Sequence, residues 1–528
     1  MDDEIGKSTQ SQGGVVMAYP PEGVKGDNEQ NTATDGKHSG ISGDSPQAYE
    51  PETVVVPPAA TFSANAFIPN IPKAGGSGGA TSGGAQTPSS SVSSWKRRIL
   101  SLAILFIIAV ALFFGGRFVV GYLARSKEVT ISYWGLWENE AVIRGILNDF
   151  EAKNPKIKVQ YAKQSHKQYR ERLQAAINRG DGPDVFRFHN TWVAMLKNEL
   201  APVPKNIMSP ETFSSTFYPT ATNDLVAGGT IYGVPLMIDG LGLYYNEDIF
   251  TSAGVSPPTT WVELLNIVPK LTAKEGSTIM TSAIALGTVG NVEHFSDILA
   301  LMFLQNGANL AAPTGTQAEE TLIFYHNFAD PANPYYTWNE TLDNSIYAFA
   351  IGRVAMILAP SWRAFDIQEM NPSLHFRVAP VPQLPGNNVT WASYWVEGVS
   401  EKSKYQEAAW KLISYLAERD VVSKLYTEAS KTRLFGEPYA RVDLGNQLTA
   451  DPIVGAYITQ ASSARSFPLA SRTFDNGLND KMSKYLEDAV NSVSGGVAPS
   501  AALQTMNAGF RQVLTTYGLT SGAAPSTQ

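Results

Sequence analysis

Val129-Thr130-Ile131-Ser132-Tyr133-Trp134 and Ile157-Lys158-Val159-Gln160-Tyr161 flank a segment that places Val142, Ile143, Ile146, Leu147 and Phe150 on one helical face. The outer runs alternate and are rich in β-formers, while the middle one has the period of an amphipathic helix that stops at Asn154-Pro155. A second helix, with Tyr169, Leu173 and Ile177 on one side, ends at Gly180, and Pro183-Asp184-Val185-Phe186 opens a third strand. The order β-α-β-α-β predicts a parallel sheet covered by helices, with its ligand crevice at the carboxyl ends of the strands. Trp134, Trp137, Glu138, His189, Asn190 and Trp192 fall at or just past such ends.

Downstream, the apolar run from Tyr232-Gly233-Val234-Pro235 to Tyr244-Tyr245-Asn246 is punctuated by Gly240 and Gly242 and suits a strand passing between two lobes. Thr260-Trp261-Val262-Glu263 is a helix capping box. Val354 to Leu358 is a buried strand ending in Ala359-Pro360-Ser361-Trp362-Arg363, and the prolines of Val378-Ala379-Pro380-Val381-Pro382 favour a second extended crossover. Ser403 with Gln406 caps a helix carrying Ala408, Leu412, Ile413 and Leu416, and the remainder to about Tyr517 reads as mostly helical.

Upstream lies material of another kind. Residues 99–124 read ILSLAILFIIAVALFFGGRFVVGYLA, without a charge from Ile99 to Gly116, and are expected to form one membrane-crossing helix. Trp95-Lys96-Arg97-Arg98 before it is an interfacial basic cluster that keeps the N-terminus cytoplasmic and sends the rest outward. A cleaved signal would have a shorter apolar core nearer the start of the chain. Residues 1–94, rich in Gly, Ser, Pro, Thr and Asn, carry ten acidic against four basic residues and read as a disordered tail.

That tail accounts for −6 of the formal net charge of −8, so the outer part is close to neutral and lacks the concentrated basic face that nucleic acid requires. The absence of cysteine excludes disulfides, thiolate metal sites, thiol nucleophiles and lipidation at cysteine. About 400 residues beyond the anchor exceed what one core usually spans, which predicts two lobes.

None of the G-x-S-x-G, phosphate-loop, H-E-x-x-H or calcium-loop patterns occurs, and the six histidines lack ligand spacing. No metal or cofactor is expected, and His189 and His294 read as structural histidines. What stands out is Trp134, Trp137, Trp192, Trp362, Trp391, Tyr394 and Trp395, aromatic residues at strand ends and in loops beside polar neighbours. Flat rings match the apolar C–H faces of sugars, and nearby carboxylates and amides match their hydroxyls. Trp261 and Trp410, on helix faces, are assigned to the core.

Taken together, Tyr133-Trp134-Gly135, Phe150-Glu151 with Asn154-Pro155-Lys156-Ile157-Lys158-Val159, Gly182-Pro183-Asp184-Val185, Tyr232-Gly233-Val234-Pro235 with Tyr244-Tyr245-Asn246, Ala253-Gly254-Val255 to Thr260-Trp261, and Ala355-Met356 to Pro360-Ser361-Trp362 occur in a telling order. Over about residues 128–517 the chain resembles the family 1 extracellular solute-binding proteins, the maltose-binding-protein-like carbohydrate receptors of ABC importers. The resemblance implies an α/β, type II periplasmic-binding-protein-like clamshell. Lobe one is placed at 128–238 and 375–418 and lobe two at 240–373 and 420–517, behind a tail at 1–94 and an anchor at 95–126 and ahead of a flexible end at 518–528. It implies Trp362 as a sugar platform from lobe two, and Trp134, Trp137, Glu138 and Asp184 as cleft-edge residues of lobe one. It also implies Asp239, at the crossover, as an acceptor of sugar hydroxyls, and Trp391, Tyr394, Trp395 and Glu397 as ligand-site residues that face the second lobe. The anchor helix and long tail depart from the family pattern.

The function expected is a membrane-tethered extracellular receptor, not an enzyme, that delivers a carbohydrate to ABC-importer permease subunits. Two rivals remain. One is a glycan-sensing or adhesion module of the same fold, and the other a glycoside hydrolase using two of Glu138, Asp239 and Glu397.

Overall fold

The computed structural model describes residues 128–519, together with Leu102, 105–115 and Arg117. Expectations for residues 1–94, for most of 95–126 and for 520–528 lie outside the described residues. Residues 105–115 are helical and every side chain among them is exposed, including Phe106, Leu112, Phe113 and Phe114. Among the described residues no helix is long and apolar enough to cross a membrane.

From Glu128 onward the chain alternates as its pattern predicts. β1 (Val129–Gly135), α1 (Glu140–Lys153), β2 (Ile157–Lys163), α2 (Tyr169–Arg179) and β3 (Val185–His189) follow in order, and β1 pairs in parallel with both β2 and β3. Helix α1 buries Ile143, Ile146, Leu147 and Phe150, four of the five apolar residues on the expected face. Helix α2 ends at Gly180, whose φ of 88° lies in the left-handed region that glycine enters without a Cβ clash.

Next come β4 (Val234–Pro235), β5 (Gly242–Asn246), α3 (Trp261–Leu271), β6 (Ala273–Glu275), β7 (Thr278–Ile284), α4 (Phe295–Gln305) and α5 (Thr316–His326). They lead to β8 (Val354–Ala359), α6 (Arg363–Met370), β9 (Phe376–Ala379), β10 (Thr390–Trp391), β11 (Trp395–Val399), α7 (Gln406–Leu416) and α8 (Arg419–Ser430). The chain finishes with α9 (Val454–Gln460), β12 (Ala464–Arg465), α10 (Leu478–Ser494) and α11 (Pro499–Thr516). Thr260 caps α3 by accepting from the Glu263 amide, while the Glu263 carboxylate takes the amide of Thr259 rather than of Thr260. Helix α7 starts after Tyr405 without a side-chain cap at that residue; the Ser403 hydroxyl accepts from the Tyr405 amide and donates to Asp184.

Two five-stranded sheets result, ordered β2-β1-β3-β11-β4 and β9-β5-β8-β7-β6. Strand β11 adds antiparallel to β3 of the parallel core, and β4 pairs antiparallel with β11 at the edge. The chain passes from the first sheet to the second between β4 and β5 and returns between β9 and β11. Segment 375–418 is therefore divided: Phe376–Ala379 pairs with β5 in the second sheet, and Trp395–Val399 with β3 in the first. Helix α8, expected in the second lobe, packs on α1 of the first, and Lys424 forms an ion pair with Asp149 at 2.5 Å. The chain crosses a third time between α8 and α9, where Tyr439 bridges to Met237 and the Pro438 carbonyl accepts from the Ile238 amide.

These passages lie side by side. Gly240 bridges to Ala392, the Ser393 amide donates to the Asp239 carbonyl, and the Ala392 amide donates to that of Arg465. Gly240 has to be glycine on spatial grounds, since a Cβ there would lie 1.8 Å from the Trp391 carbonyl oxygen.

Candidate functional site

At the carboxyl end of β1, Trp137 meets Trp395 of β11 edge to face, with ring centroids 5.4 Å apart. Trp395 in turn packs on Trp192 at 5.4 Å and on His189 at 5.2 Å. The pairing of β11 with β3 sets His189 opposite Trp395, which gives these side chains a common face. On its other side Trp137 lies 6.0 Å from the exposed ring of His166, and His166 lies 5.1 Å from Phe474.

The second lobe presents Trp362 just past β8, with the Arg363 guanidinium 4.1 Å from its ring centroid. Arg363 also pairs with Glu293 and Asp366, each at 2.7 Å, and its Nε donates to His294 Nε2 at 3.0 Å. Arg472 reaches the same Glu293 carboxylate and lies 5.7 Å from the Phe474 ring. A continuous run of ring and ion contacts thus leads from Trp362 on one lobe to Trp395 on the other. Of the ten predicted site residues it joins three: Trp137, Trp362 and Trp395.

The others have partners within the protein. Glu138 and Glu397 clamp Arg187, whose Nη1 lies 2.7 and 2.9 Å from the two Glu138 oxygens and whose Nε lies 2.7 Å from Glu397 Oε1. Burial works against ionising both carboxylates; at Glu138 the guanidinium overrides it and holds the group below its usual range, whereas at Glu397 burial prevails and pushes it up. Asp239 accepts from the amides of Gly240 and Ser361 and from the Ser361 hydroxyl, and burial raises its pKa to about 7. Asp184 takes the amide and hydroxyl of Ser132 and the hydroxyl of Ser403, tying β1 to the start of α7. Trp391 is buried and donates to Asp297, and Tyr394 is buried and donates to Asp224. Trp134 is half-buried against the core of its lobe.

Glu138, Arg187, Leu236, Met237, Arg433 and Glu437 help to line a small recess that opens to solvent. Phe365, three residues after Trp362, stacks on Phe435 at 4.5 Å, so the lobes also meet here. His189 is neutral at physiological pH, burial holding its pKa to about 4, and it bridges Thr191 and the crossover residue Ser393. Burial likewise lowers His294, which connects Arg363 to Ser471.

Sequence reasoning passed over Arg187, Asp224, Glu293, Arg472 and Phe474. Arg363 was within reach, since it directly follows Trp362. The turn-rich Asp475-Asn476-Gly477 marks a loop but not where that loop lies. Asp224, which binds Asn190, Thr220, Tyr394 and Ser466, is surrounded by nothing in sequence that singles it out.

Residues 136–422, more than half the chain, match the family model described as bacterial extracellular solute-binding protein, and the chain belongs to that family. It is 25% identical over 347 residues to the multiple sugar-binding protein of Streptococcus mutans, covering 63% of this chain and 81% of that protein. It is 24% identical over 284 residues to the maltooligosaccharide ABC transporter solute-binding lipoprotein of Streptococcus pneumoniae, covering 50% and 62%. Its fold is similar to that of the cyclic α-maltosyl-1,6-maltose binding protein from Arthrobacter globiformis, with a TM-score of 0.60 and 18% identity over 74% of this chain and 99% of that one.

Proposed function

We propose that the protein is a membrane-tethered extracellular receptor that captures an oligosaccharide between its two lobes and delivers it to an ABC importer. The observation that carries this reading is the run of ring and ion contacts that leads from half-buried Trp362 on one lobe, through Arg363, Glu293, Arg472, Phe474 and His166, to the half-buried pair Trp137 and Trp395 on the other. Sugars bring flat C–H faces to such rings and hydroxyls to the groups between them. The relatives in Streptococcus, a sugar-binding protein and a maltooligosaccharide transport lipoprotein, support the same ligand class and the importer partner.

Closure about the three crossovers sandwiches the ligand, and binding energy goes into the closed state that permease subunits read. Trp137, Trp362 and Trp395 are the stacking surfaces in this proposal. Glu138, Asp184, Asp239, Trp391, Tyr394 and Glu397 hold the cleft walls and hinge in register. The bond network favours binding over hydrolysis, because Arg187 already occupies two of the three carboxylates that a hydrolase would draw on. The exposed apolar helix at 105–115 supports the tether, with the N-terminal tail on the cytoplasmic side.

Calorimetry of the full chain in detergent against maltose through maltopentaose and a panel of other mono- and oligosaccharides tests the proposal. Saturable binding to one series is expected, and no heat from any of them overturns it.

A further inference from the structure

Between β12 and α10 the chain runs through Ser471-Arg472-Thr473-Phe474-Asp475-Asn476, and three of these six residues have left-handed backbones without being glycine: Arg472 at φ 59°, Phe474 at 51° and Asn476 at 44°. L side chains seldom adopt that region, so the surroundings must hold the segment there. They do so from both lobes. Asp475, fully buried, accepts from the amides of Gly477, Asn479 and Asp480 and from the Asn479 side chain, while its carbonyl takes Arg170 of the first lobe. Asn479 also donates to Thr191 of the first lobe. On the other side the Ser471 amide donates to Asp297 and its hydroxyl meets His294, both in the second lobe.

The alternation of left-handed and ordinary backbone sends Thr473 and Asp475 inward and leaves Arg472 and Phe474 partly exposed. Those two side chains complete the link: Arg472 pairs with Glu293 beside Trp362, and Phe474 packs on His166 beside Trp137. We infer that Arg472 and Phe474 are positioning residues of the cleft, a strap that spans from one lobe to the other and sets the gap across which Trp362 faces Trp137 and Trp395. Its meaning for ligand capture rests on the function proposed above, but its geometry does not, and the gap can be measured with no ligand present.

The test uses the lack of native cysteine, which allows two spin labels to be placed alone, at Ala152→Cys on α1 and Gln317→Cys on α5, both exposed. Pulsed electron resonance on the full chain in detergent then reads the distance between the lobes. The double variant Arg472→Gly/Phe474→Gly removes both side chains yet suits the left-handed backbone, so the fold is kept and the unfolding midpoint serves as its check. The distance distribution is expected to lengthen and broaden in this variant, and in Glu293→Gln, which removes the acceptor charge without touching the strap. Arg472→Lys/Phe474→Tyr, which preserves charge and ring, is expected to keep the parental distribution. The inference is overturned by a glycine variant whose distances superimpose on the parent's, or by a conservative pair that lengthens them equally. Failure of every sugar to bind would sink the proposed ligand class and leave this distance result standing on its own.

Discussion

Asp239 in the first crossover and Ser361 at the end of β8 are joined twice, by the Ser361 amide at 3.1 Å and by its hydroxyl at 2.8 Å, both reaching the buried carboxylate. The hinge is thereby pinned to the turn that presents Trp362. The folded-state pKa of about 7 lies above the ordinary value of an aspartate, 3.8, so Asp239 binds its proton more tightly in the folded chain than in the unfolded one. Its contribution is fully present below pH 4 and is lost as pH rises through 7, at up to about 1.4 kcal/mol per pH unit. Asp239→Asn, which keeps the shape, should flatten that part of the profile; denaturant titrations of parent and variant at pH 4.5, 6 and 8 would show it.

Trp362 should matter to the ligand far more than to the fold. Trp362→Ala is expected to weaken sugar binding by about 1–3 kcal/mol, the usual range for an aromatic anchor. Calorimetry against the tightest-binding saccharide measures it, and unchanged affinity would remove Trp362 from the binding surface.

Arg187 is 4% exposed and holds two buried carboxylates. Arg187→Met leaves both uncompensated and should cost about 3–5 kcal/mol in stability. Adding Glu138→Gln and Glu397→Gln should restore much of the loss, a recovery that urea unfolding followed by circular dichroism can follow. A single variant as stable as the parent would show that the ion triad is not under strain from burial.

Gly240→Ala forces a methyl group into the Trp391 carbonyl and must push two crossovers apart. Overpacking of this kind costs about 1–3 kcal/mol. Because the displaced strands are the hinge, binding should fall together with the unfolding midpoint; a variant with parental values of both would contradict the packing described.

The proposed tether makes a separate prediction. After alkaline carbonate washing of membranes, the full chain should stay in the pellet and a chain deleted for residues 95–126 should be released. Release of the full chain would show that it is not an integral membrane protein.

Much of the architecture was legible because it depends on local periodicity. Ile143, Ile146, Leu147 and Phe150 repeat at helical spacing, β1 alternates, and Thr260 with Glu263 signals a helix start. Lobe boundaries were harder to read: Phe376–Ala379 falls in the segment 375–418 placed in lobe one, but its register with Tyr244 and Tyr245 puts it in the second sheet. The aromatic residues were visible as a set, yet chemistry alone could not separate Trp362 and Trp395, half-buried in the ring run, from Trp391 and Tyr394, buried with carboxylate partners. Partnerships such as Glu138 with Arg187 or Phe474 with His166 join residues tens to hundreds of positions apart, and only folding reveals them.

The three crossovers have a bearing on how the molecule endures damage. A protease that severed any one of them would leave two covalent strands still joining the halves, along with the bonds among Gly240, Ala392 and Arg465. The two halves thus carry spare cables where a single-cord joint would part at the first cut.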